Sequence, residues 1–292
     1  MRVAAIDVGT NTVRLLVADE RGDVERDSRI TRLGEGVDAT GCLGEAPMGR
    51  TLDAIAEFVW RARAAGAERI RVAGTSALRD ARNRSEFSER VAERCGLFLE
   101  LLDGGQEGRT AYAGATSWLG GGRRVVCDIG GGSTELISAE DVVSVDVGSV
   151  RLRERILRGD PPSAGSVRAG RRHVEEALAA VGAGERFAEG GLVGVAGTIT
   201  TIAALDAGLA SYDSEVVHGY RLTAAAAERW AQRLNALTVA EIRDLGPVAP
   251  GRADVIGAGA LVLAGVMRVL GREDVTVSER DILDGLALGA LG

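Results

Sequence analysis

The arrangement of apolar and polar residues divides the chain into two halves that begin in the same way. In the first half, short apolar runs predict strands, and apolar residues at helical spacing predict helices. The predicted elements are strands at 2–8, 13–19, 23–32, 69–73 and 97–102 and helices at 48–65, 85–94 and 106–118. Three strands followed by alternating helices and strands are typical of one half of a duplicated α/β protein.

The second half repeats the three-strand opening. Gly120-Gly121-Gly122 interrupts the chain and is the predicted hinge. The elements predicted beyond it are strands at 123–129, 134–139, 141–147, 191–195 and 275–278 and helices at 149–158, 166–181, 199 onwards, 223–236, 239–244, 252–270 and 280–290. We therefore expect two domains, residues 1–121 and 122–292. The last helix either stays with the second domain or packs back on the first.

A glycine-rich turn joins the first two strands of the second half, between Asp128 and Glu135. Glycines allow positive φ and a close approach of the backbone to a ligand. Successive N–H groups and hydroxyls in such a turn can bind an anion. The residues that would do so are Gly130, Gly131, Gly132, Ser133 and Thr134. The flanking carboxylates are the oxygen ligands that Mg²⁺ prefers, although Asp128 also suits an Asx turn, and both roles can hold at once.

The first half carries a matching turn at a constant offset of 121 residues, running from Asp7 to Leu15. Asp7 matches Asp128, whereas Arg14 stands where the second turn has Glu135. One turn therefore ends in a cation suited to phosphate and the other in a carboxylate. We expect two duplicated domains that face each other across a cleft, with a polyphosphate and a metal between the turns. The alternatives are two unrelated hairpins and an Arg14 that merely faces solvent.

Composition restricts the class of protein. A chain of 292 residues with 46% hydrophobic residues suits about two ordered globular domains. No apolar run approaches the ~20 residues of a membrane helix. The N-terminus enters a strand without a basic leader, so we expect a cytoplasmic protein without membrane association. The net charge of −7 argues against a nucleic-acid partner.

The residue types also limit the chemistry. All 35 basic residues are arginine, which excludes a Walker-type lysine and a Schiff base. The two histidines, His173 and His218, are too few for a histidine metal site. His218 follows the strand-like pair Val216 and Val217 and suits a structural role as well as a ligand role. The three cysteines lack the spacing of a disulfide framework or a zinc site. Catalysis must therefore rest on carboxylates, hydroxyls, arginines and any bound metal.

A set of short motifs follows in order along the chain. They are Asp7-x-Gly-Thr-Asn-Thr-x-Arg14, Thr75–Asn83, Gly105–Arg109, Asp128–Glu135, Gly148–Arg151, Gly194–Thr198 and Val217–Tyr220. Together they resemble the exopolyphosphatase/guanosine pentaphosphate phosphatase (Ppx/GppA) family of the actin-like ATPase superfamily. The resemblance covers essentially the whole chain, which is similar to a short form without the further C-terminal helical domains of longer members.

The resemblance implies an α/β fold of two duplicated actin-like (ribonuclease H-like) domains and a hydrolase that acts on phosphoanhydrides with Mg²⁺ (or Mn²⁺). It assigns Glu107 as the catalytic base, Arg79 as a catalytic arginine at the phosphate site, and Asp128 and Glu135 as metal ligands. The phosphate-binding positions are Asp7, Gly9, Thr10, Asn11, Thr12, Arg14, Gly130, Gly131, Gly132, Ser133, Thr134, Gly197 and Thr198. Family members often have two consecutive acids where this chain has Gln106 and Glu107.

Simpler structural roles stand beside these assignments. Glu107 also suits the N-terminus of a helix, where the helix dipole stabilises a carboxylate. Arg79 follows a strand through a turn from which its guanidinium can fork onto phosphate oxygens, but a surface salt bridge is the alternative.

The leading functional hypothesis is an exopolyphosphatase that releases orthophosphate from the ends of inorganic polyphosphate. A second hypothesis is a 5′-phosphatase on guanosine pentaphosphate that makes guanosine tetraphosphate, and the 3% aromatic content argues mildly against a guanine slot. A third, from another class, is a non-hydrolytic sensor of the alarmone or of polyphosphate. The long helices of the second half leave a homodimer open.

Overall fold

The computed structural model describes residues 1–291 and divides the chain into two compact units. Unit 1 comprises Met1–Ser117 together with Arg280–Gly292, and unit 2 comprises Trp118–Glu279. The boundary thus falls after Ser117, a few residues before the glycine run at 120–122, and the last helix belongs to unit 1. Gly292, the end of the predicted second domain, lies outside the described residues.

Unit 1 is built on a five-stranded mixed sheet. Its strands are β1 (Val3–Val8), β2 (Thr12–Asp19), β3 (Gly22–Ile30), β4 (Arg69–Gly74) and β5 (Leu99–Leu101). Its helices, numbered along the whole chain, are α1 (Val37–Thr40), α2 (Glu45–Ala64), α3 (Ser76–Asp80), α4 (Arg84–Cys95), α5 (Gly104–Thr116) and α14 (Ile282–Leu291). The strand order is β3-β2-β1-β4-β5, with β1 antiparallel to β2 and parallel to β4.

Both faces of the central strand β1 are covered, which explains why all of its residues except Asp7 are apolar. Because side chains alternate across a strand, Ala4, Ile6 and Val8 enter the core that contains residues of α2 and α4. Val3 and Ala5 enter a second core that contains residues of α5 and α14. The end of the chain therefore completes the packing of the first strand.

Unit 2 has a six-stranded mixed sheet. Its strands are β6 (Arg124–Ile129), β7 (Thr134–Ile137), β8 (Val142–Val145), β9 (Gly191–Val195), β10 (Arg221–Thr223) and β11 (Asp274–Val277). Its helices are α6 (Ser149–Arg155), α7 (Ala164–Ala180), α8 (Ala183–Arg186), α9 (Ala196–Asp206), α10 (Ser214–Val217), α11 (Ala224–Leu234), α12 (Val239–Arg243) and α13 (Ile256–Val269), with a 3-10 turn at Pro250–Arg252.

The two sheets share one topology. The order in unit 2 is β10-β11-β9-β6-β7-β8, so that the strand β6 lies between an antiparallel partner, β7, and a parallel one, β9. This repeats the placement of β1 between β2 and β4, with β10 added at the edge. The predicted duplicated α/β fold is therefore confirmed.

Some local predictions were wrong in detail. Val216 and Val217, which resemble a strand in sequence, lie in or at the end of the short helix α10, whose cap is the side chain of Asp213. The predicted helix at 252–270 is a 3-10 turn followed by α13 from Ile256. In both places a few apolar residues match more than one periodicity, and the tertiary packing decides between them. Among residues 1–291, no helix combines the length and apolar character needed to cross a membrane.

Helices α5 and α14 approach closely because each has a glycine at the contact. A Cβ atom placed on Gly114 would overlap the backbone of Asp281, and one on Gly285 would overlap the backbone of Thr110. The contact leaves no space for a side chain at either position. This packing holds the last helix of the chain against the helix that carries Glu107.

Gly285→Ala is expected to destabilise the protein by about 1–3 kcal/mol or more, because overpacking a tight contact forces the backbone to shift. Gly49→Ala in α2 is the matched control, since a Cβ there meets no atom within 4 Å. The control should be neutral or gain about 0.5–1 kcal/mol from the better helix former. Chemical denaturation measures both, and equal midpoints for the two variants would contradict the proposed contact.

Candidate active site

The two glycine turns have the same geometry in the two units. In unit 1, Asp7 lies directly opposite Arg14 in the β1–β2 ladder, and the Gly9 N–H donates to the Thr12 carbonyl at 3.0 Å. In unit 2, Asp128 lies directly opposite Glu135, and the Gly130 N–H donates to the Ser133 carbonyl at 3.0 Å. The repeat in the sequence is therefore a repeat of backbone structure.

The turn of unit 2 is held from one side by the start of α6. The Gly130 carbonyl accepts from the Ser149 N–H at 3.0 Å, and the Gly131 carbonyl accepts from the Val150 and Arg151 N–H groups at 2.9 and 3.1 Å. In a trans peptide the N–H points away from the C=O. The N–H groups of Gly131 and Gly132 are therefore directed away from α6, as an anion-binding nest requires.

The turn of unit 1 is held in the same way by the segment after β3. The Thr10 carbonyl accepts from the Gly34 N–H at 2.8 Å, and the Asn11 carbonyl accepts from the N–H groups of Thr31 and Arg32, each at 3.0 Å. The N–H groups of Asn11 and Thr12 are consequently directed to the opposite side. In both turns, the hydrogen bonds to the carbonyl groups thus fix the direction of the main-chain N–H groups.

Asp7 and Arg14 form a partly buried ion pair. The Asp7 Oδ2 accepts from Arg14 Nη2 at 2.8 Å and from Arg14 Nε at 3.1 Å. Asp7 is 4% exposed, and its Oδ1 is a buried atom without a hydrogen-bond partner. Burial raises the pKa of Asp7, and the Arg14 charge opposes that rise. An unsatisfied buried carboxylate oxygen favours a donor or cation beside it.

Asp128 and Glu135 are both buried, at 8% and 2% exposure. Directly opposed residues of an antiparallel pair have Cβ atoms about 4.5–5.5 Å apart, and like charges in such a pair destabilise the sheet. The Ser144 hydroxyl donates to Glu135 Oε1 at 2.7 Å, which orients that carboxylate. Two adjacent carboxylates fit Mg²⁺, which commonly takes one or two protein carboxylates together with water and substrate phosphates. Residues 1–291 contain no group of three or more His, Cys, Asp or Glu suited to a metal ion.

The structure brings together the two residues predicted to be catalytic. Arg79, in α3, forms an ion pair with Glu107 and donates to the Leu102 carbonyl at 3.1 Å. Glu107 is 8% exposed and lies in the first turn of α5. The neighbouring Gln106 instead caps the helix together with Asp103. The Gln106 N–H donates to Asp103 Oδ1 at 2.7 Å, and Gln106 Oε1 accepts from the Asp103 N–H at 3.0 Å. Gln106 therefore caps the helix, whereas Glu107 pairs with Arg79.

Gly197 and Thr198 lie in the first turn of helix α9, which follows β9 directly. The preceding residue, Ala196, has a φ of 65°, a left-handed conformation that residues other than glycine rarely adopt. The Gly197 carbonyl accepts from Arg252 Nη1 at 3.0 Å. Thr198 is buried at 6% exposure, and a Cβ on Gly259 of α13 would lie 2.8 Å from its hydroxyl oxygen. The phosphate role of this segment stays a prediction.

In each unit the candidate residues collect at the carboxyl ends of the central parallel strands. In unit 1, the Asp7 turn follows β1, Arg79 follows β4 and Glu107 follows β5. In unit 2, the Asp128 turn follows β6 and Gly197 follows β9. Open α/β sheets bind their ligands at this edge. Each sheet therefore has one edge that carries a glycine turn and the candidate side chains.

Three residues at these edges were missed by sequence reasoning. They are Ser144 beside Glu135, Arg252 beside Gly197, and Asp281, which forms an ion pair with Arg14. Asp281 stands just before an apolar helical run, so a helix cap could have been predicted there. Its partner is 267 residues away, and no local pattern joins the two.

Two sheets with this strand order, each with a glycine turn after its first strand, define a protein of the actin-like (ribonuclease H-like) class. The model of the Ppx/GppA phosphatase family matches residues 16–292. The chain belongs to this family, as the motifs suggested, and is a phosphoanhydride hydrolase.

Individual relatives agree with this membership. Exopolyphosphatase 2 of Mycobacterium tuberculosis is 42% identical over 315 aligned positions, covering 100% of this chain and 99% of that protein. A crystal structure described as an exopolyphosphatase-like protein superposes with a TM-score of 0.95 at 32% identity, covering 100% of this chain and 99% of that one. A guanosine-5′-triphosphate,3′-diphosphate pyrophosphatase of Vibrio atlanticus is 37% identical over 162 residues, which is 52% of this chain and 33% of that protein.

Some expectations stay predictions. These are the catalytic role of Glu107, the use of Mg²⁺ or Mn²⁺, a cytoplasmic location and a homodimer.

Proposed function

We propose that this protein is an exopolyphosphatase that hydrolyses the terminal phosphoanhydride of inorganic polyphosphate and releases orthophosphate. The observation that carries the proposal is the pair of matching turns, in which Arg14 and Glu135 occupy equivalent positions with opposite charges. One turn has a carboxylate facing an arginine, and the other has two facing carboxylates. The first suits a phosphate, and the second suits a metal that itself binds phosphate. The full-length similarity to an exopolyphosphatase supports the same substrate.

The hydrolysis requires a water, a base and neutralisation of the phosphoryl oxygens. In the proposed reaction, water oxygen bonds to the terminal phosphorus, the bridging P–O bond breaks, and the Glu107 carboxylate takes the water proton. Asp128 and Glu135 would hold Mg²⁺ or Mn²⁺, which when bound neutralises charge on the phosphoryl oxygens. In each unit the N–H groups of the turn would bind phosphate, and Arg14 adds a positive charge to the turn of unit 1.

The ion pair between Arg79 and Glu107 gives this scheme an order of events. A phosphate oxygen that binds the Arg79 guanidinium displaces the Glu107 carboxylate from this ion pair. The carboxylate can then accept a proton. Arginine binds phosphate as well as carboxylate with the same forked geometry. The carboxylate would thus become available to the attacking water when a terminal phosphate has reached Arg79.

A 5′-phosphatase acting on guanosine pentaphosphate is the second candidate, because the relative from Vibrio atlanticus matches about half of this chain. The same turns would bind the phosphates of either substrate. The two candidates differ in whether a guanine is bound, so substrate preference decides between them.

The test is phosphate release from short-chain polyphosphate, long-chain polyphosphate and guanosine pentaphosphate, each with Mg²⁺, with Mn²⁺ and with EDTA. We expect metal-dependent release mainly from polyphosphate. Release mainly from guanosine pentaphosphate would contradict the proposal and support the 5′-phosphatase instead. Tight binding of either compound without release would point instead to a sensor.

A further inference from the structure

The cap of the last helix, α14, reaches the phosphate-binding turn of unit 1. Asp281 precedes the helix and is 3% exposed. Its Oδ1 accepts from the Leu283 N–H at 2.9 Å, which caps the first turn of the helix. Its Oδ2 accepts from Arg14 Nη1. One buried carboxylate therefore caps the helix and binds the Arg14 guanidinium.

Arg14 is consequently held from two sides. Asp7 contacts it through Nε and Nη2 on one side, and Asp281 contacts it through Nη1 on the other. A long arginine side chain loses rotamer entropy when it is fixed. The ion pairs with two carboxylates offset that loss before any ligand binds. The guanidinium is thus oriented in advance of phosphate binding.

Asp281 is itself fixed by its surroundings. Its N–H donates to Asp284 Oδ2 at 2.9 Å, and Asp284 Oδ1 accepts from Arg26 of β3 at 2.7 Å. The close contact at Gly114 lies against the Asp281 backbone. Rigid neighbours on three elements, β3, α5 and α14, therefore set the position of the carboxylate that holds Arg14.

We propose that Asp281 is a positioning residue of the active site, which orients Arg14 for phosphate binding. This inference rests on the proposed function, because it assigns Arg14 to the substrate. It also gives the last helix a role beyond packing, since α14 places Arg14 through its cap and lies against the helix that carries Glu107.

The test is Asp281→Asn, which keeps a good helix cap but removes the charge that holds Arg14. Because charge-assisted hydrogen bonds are strong, we expect KM for long-chain polyphosphate to rise about tenfold or more, with kcat nearly unchanged. A merely structural defect would lower the active fraction, and therefore kcat, without changing KM. Asp213→Asn, at the cap of α10, is the matched control and should leave both constants unchanged.

A double-mutant cycle tests whether Asp281 acts through Arg14. Arg14→Gln combined with Asp281→Asn should be no worse than Arg14→Gln alone, because the second change has nothing left to orient. Fully additive losses would overturn the proposal, as would a wild-type KM for Asp281→Asn.

Binding of long-chain polyphosphate in EDTA, followed by calorimetry, separates this inference from the proposed function. Weaker binding by Asp281→Asn than by the wild type would support the positioning role even if no variant released phosphate. A wild type that hydrolyses polyphosphate while Asp281→Asn binds it equally well would overturn the positioning role alone. A wild type that neither binds nor hydrolyses polyphosphate would overturn both.

Discussion

Replacing Glu107 by Gln is expected to lower kcat for polyphosphate hydrolysis at least about a hundredfold, because general-base help contributes roughly 10²–10⁴-fold. The amide keeps the size of the side chain and its place in the first turn of α5 but cannot accept the proton of water. KM should change little, because the substitution leaves the turns and Arg14, which bind phosphate in this proposal, as they are. Steady-state phosphate release at saturating Mg²⁺ measures both constants.

The matched control is Glu100→Gln. Glu100 also pairs with an arginine, Arg71, at 2.7 and 3.0 Å, but its side chain is 42% exposed. Surface substitutions of this kind usually change stability by less than about 0.5 kcal/mol, so the control should turn over like the wild type. A Glu107→Gln enzyme that kept more than about a tenth of wild-type turnover would refute the base assignment.

Replacing Asp128 by Asn is expected to reduce activity at least about a hundredfold. Even substitutions of residues that only hydrogen-bond to a metal ligand typically lower metal affinity or activity about 10–100-fold. Higher Mg²⁺ should recover part of the loss, since the remaining carboxylate, Glu135, still binds the metal weakly. Phosphate release across a series of Mg²⁺ concentrations measures the shift in half-maximal activation.

The same variant should unfold at a higher temperature than the wild type when no metal is present. Asp128 and Glu135 face each other across the β6–β7 pair, and a neutral amide relieves their repulsion. Asp141→Asn is the control, because Asp141 lies in the same sheet region and pairs with Arg186 at 2.6 and 2.7 Å. Loss of that pair should leave activity intact. An Asp128→Asn protein with normal Mg²⁺ activation would contradict the metal site.

Much of the fold follows from local sequence. The strands on either side of the turns at Asp7 and Asp128 were predictable, because continuous apolar runs bounded by glycine favour buried strands. The duplication was visible as a constant offset, and it predicted the equal register of the two turns. Element ends were less certain, as at α13, where the helix begins only at Ile256.

The candidate site was predictable in part. The turn residues and Glu107 stand out because glycine turns and helix starts carry their own signals. The partners that orient them do not. Ser144, Arg252 and Asp281 have ordinary local surroundings, and each acquires its role only from a contact with a distant part of the chain.

Local sequence was sufficient to identify the duplicated strand–turn–strand units, the residue types available for chemistry and the family. These properties depend on local backbone preference and on residue identity, both of which are readable position by position. The folded chain was needed to show that the last helix belongs with the first unit, that Arg79 contacts Glu107, and that Arg14 lies between Asp7 and Asp281. Those contacts depend on how helices pack on the sheet, because packing brings together charges that are far apart in the chain.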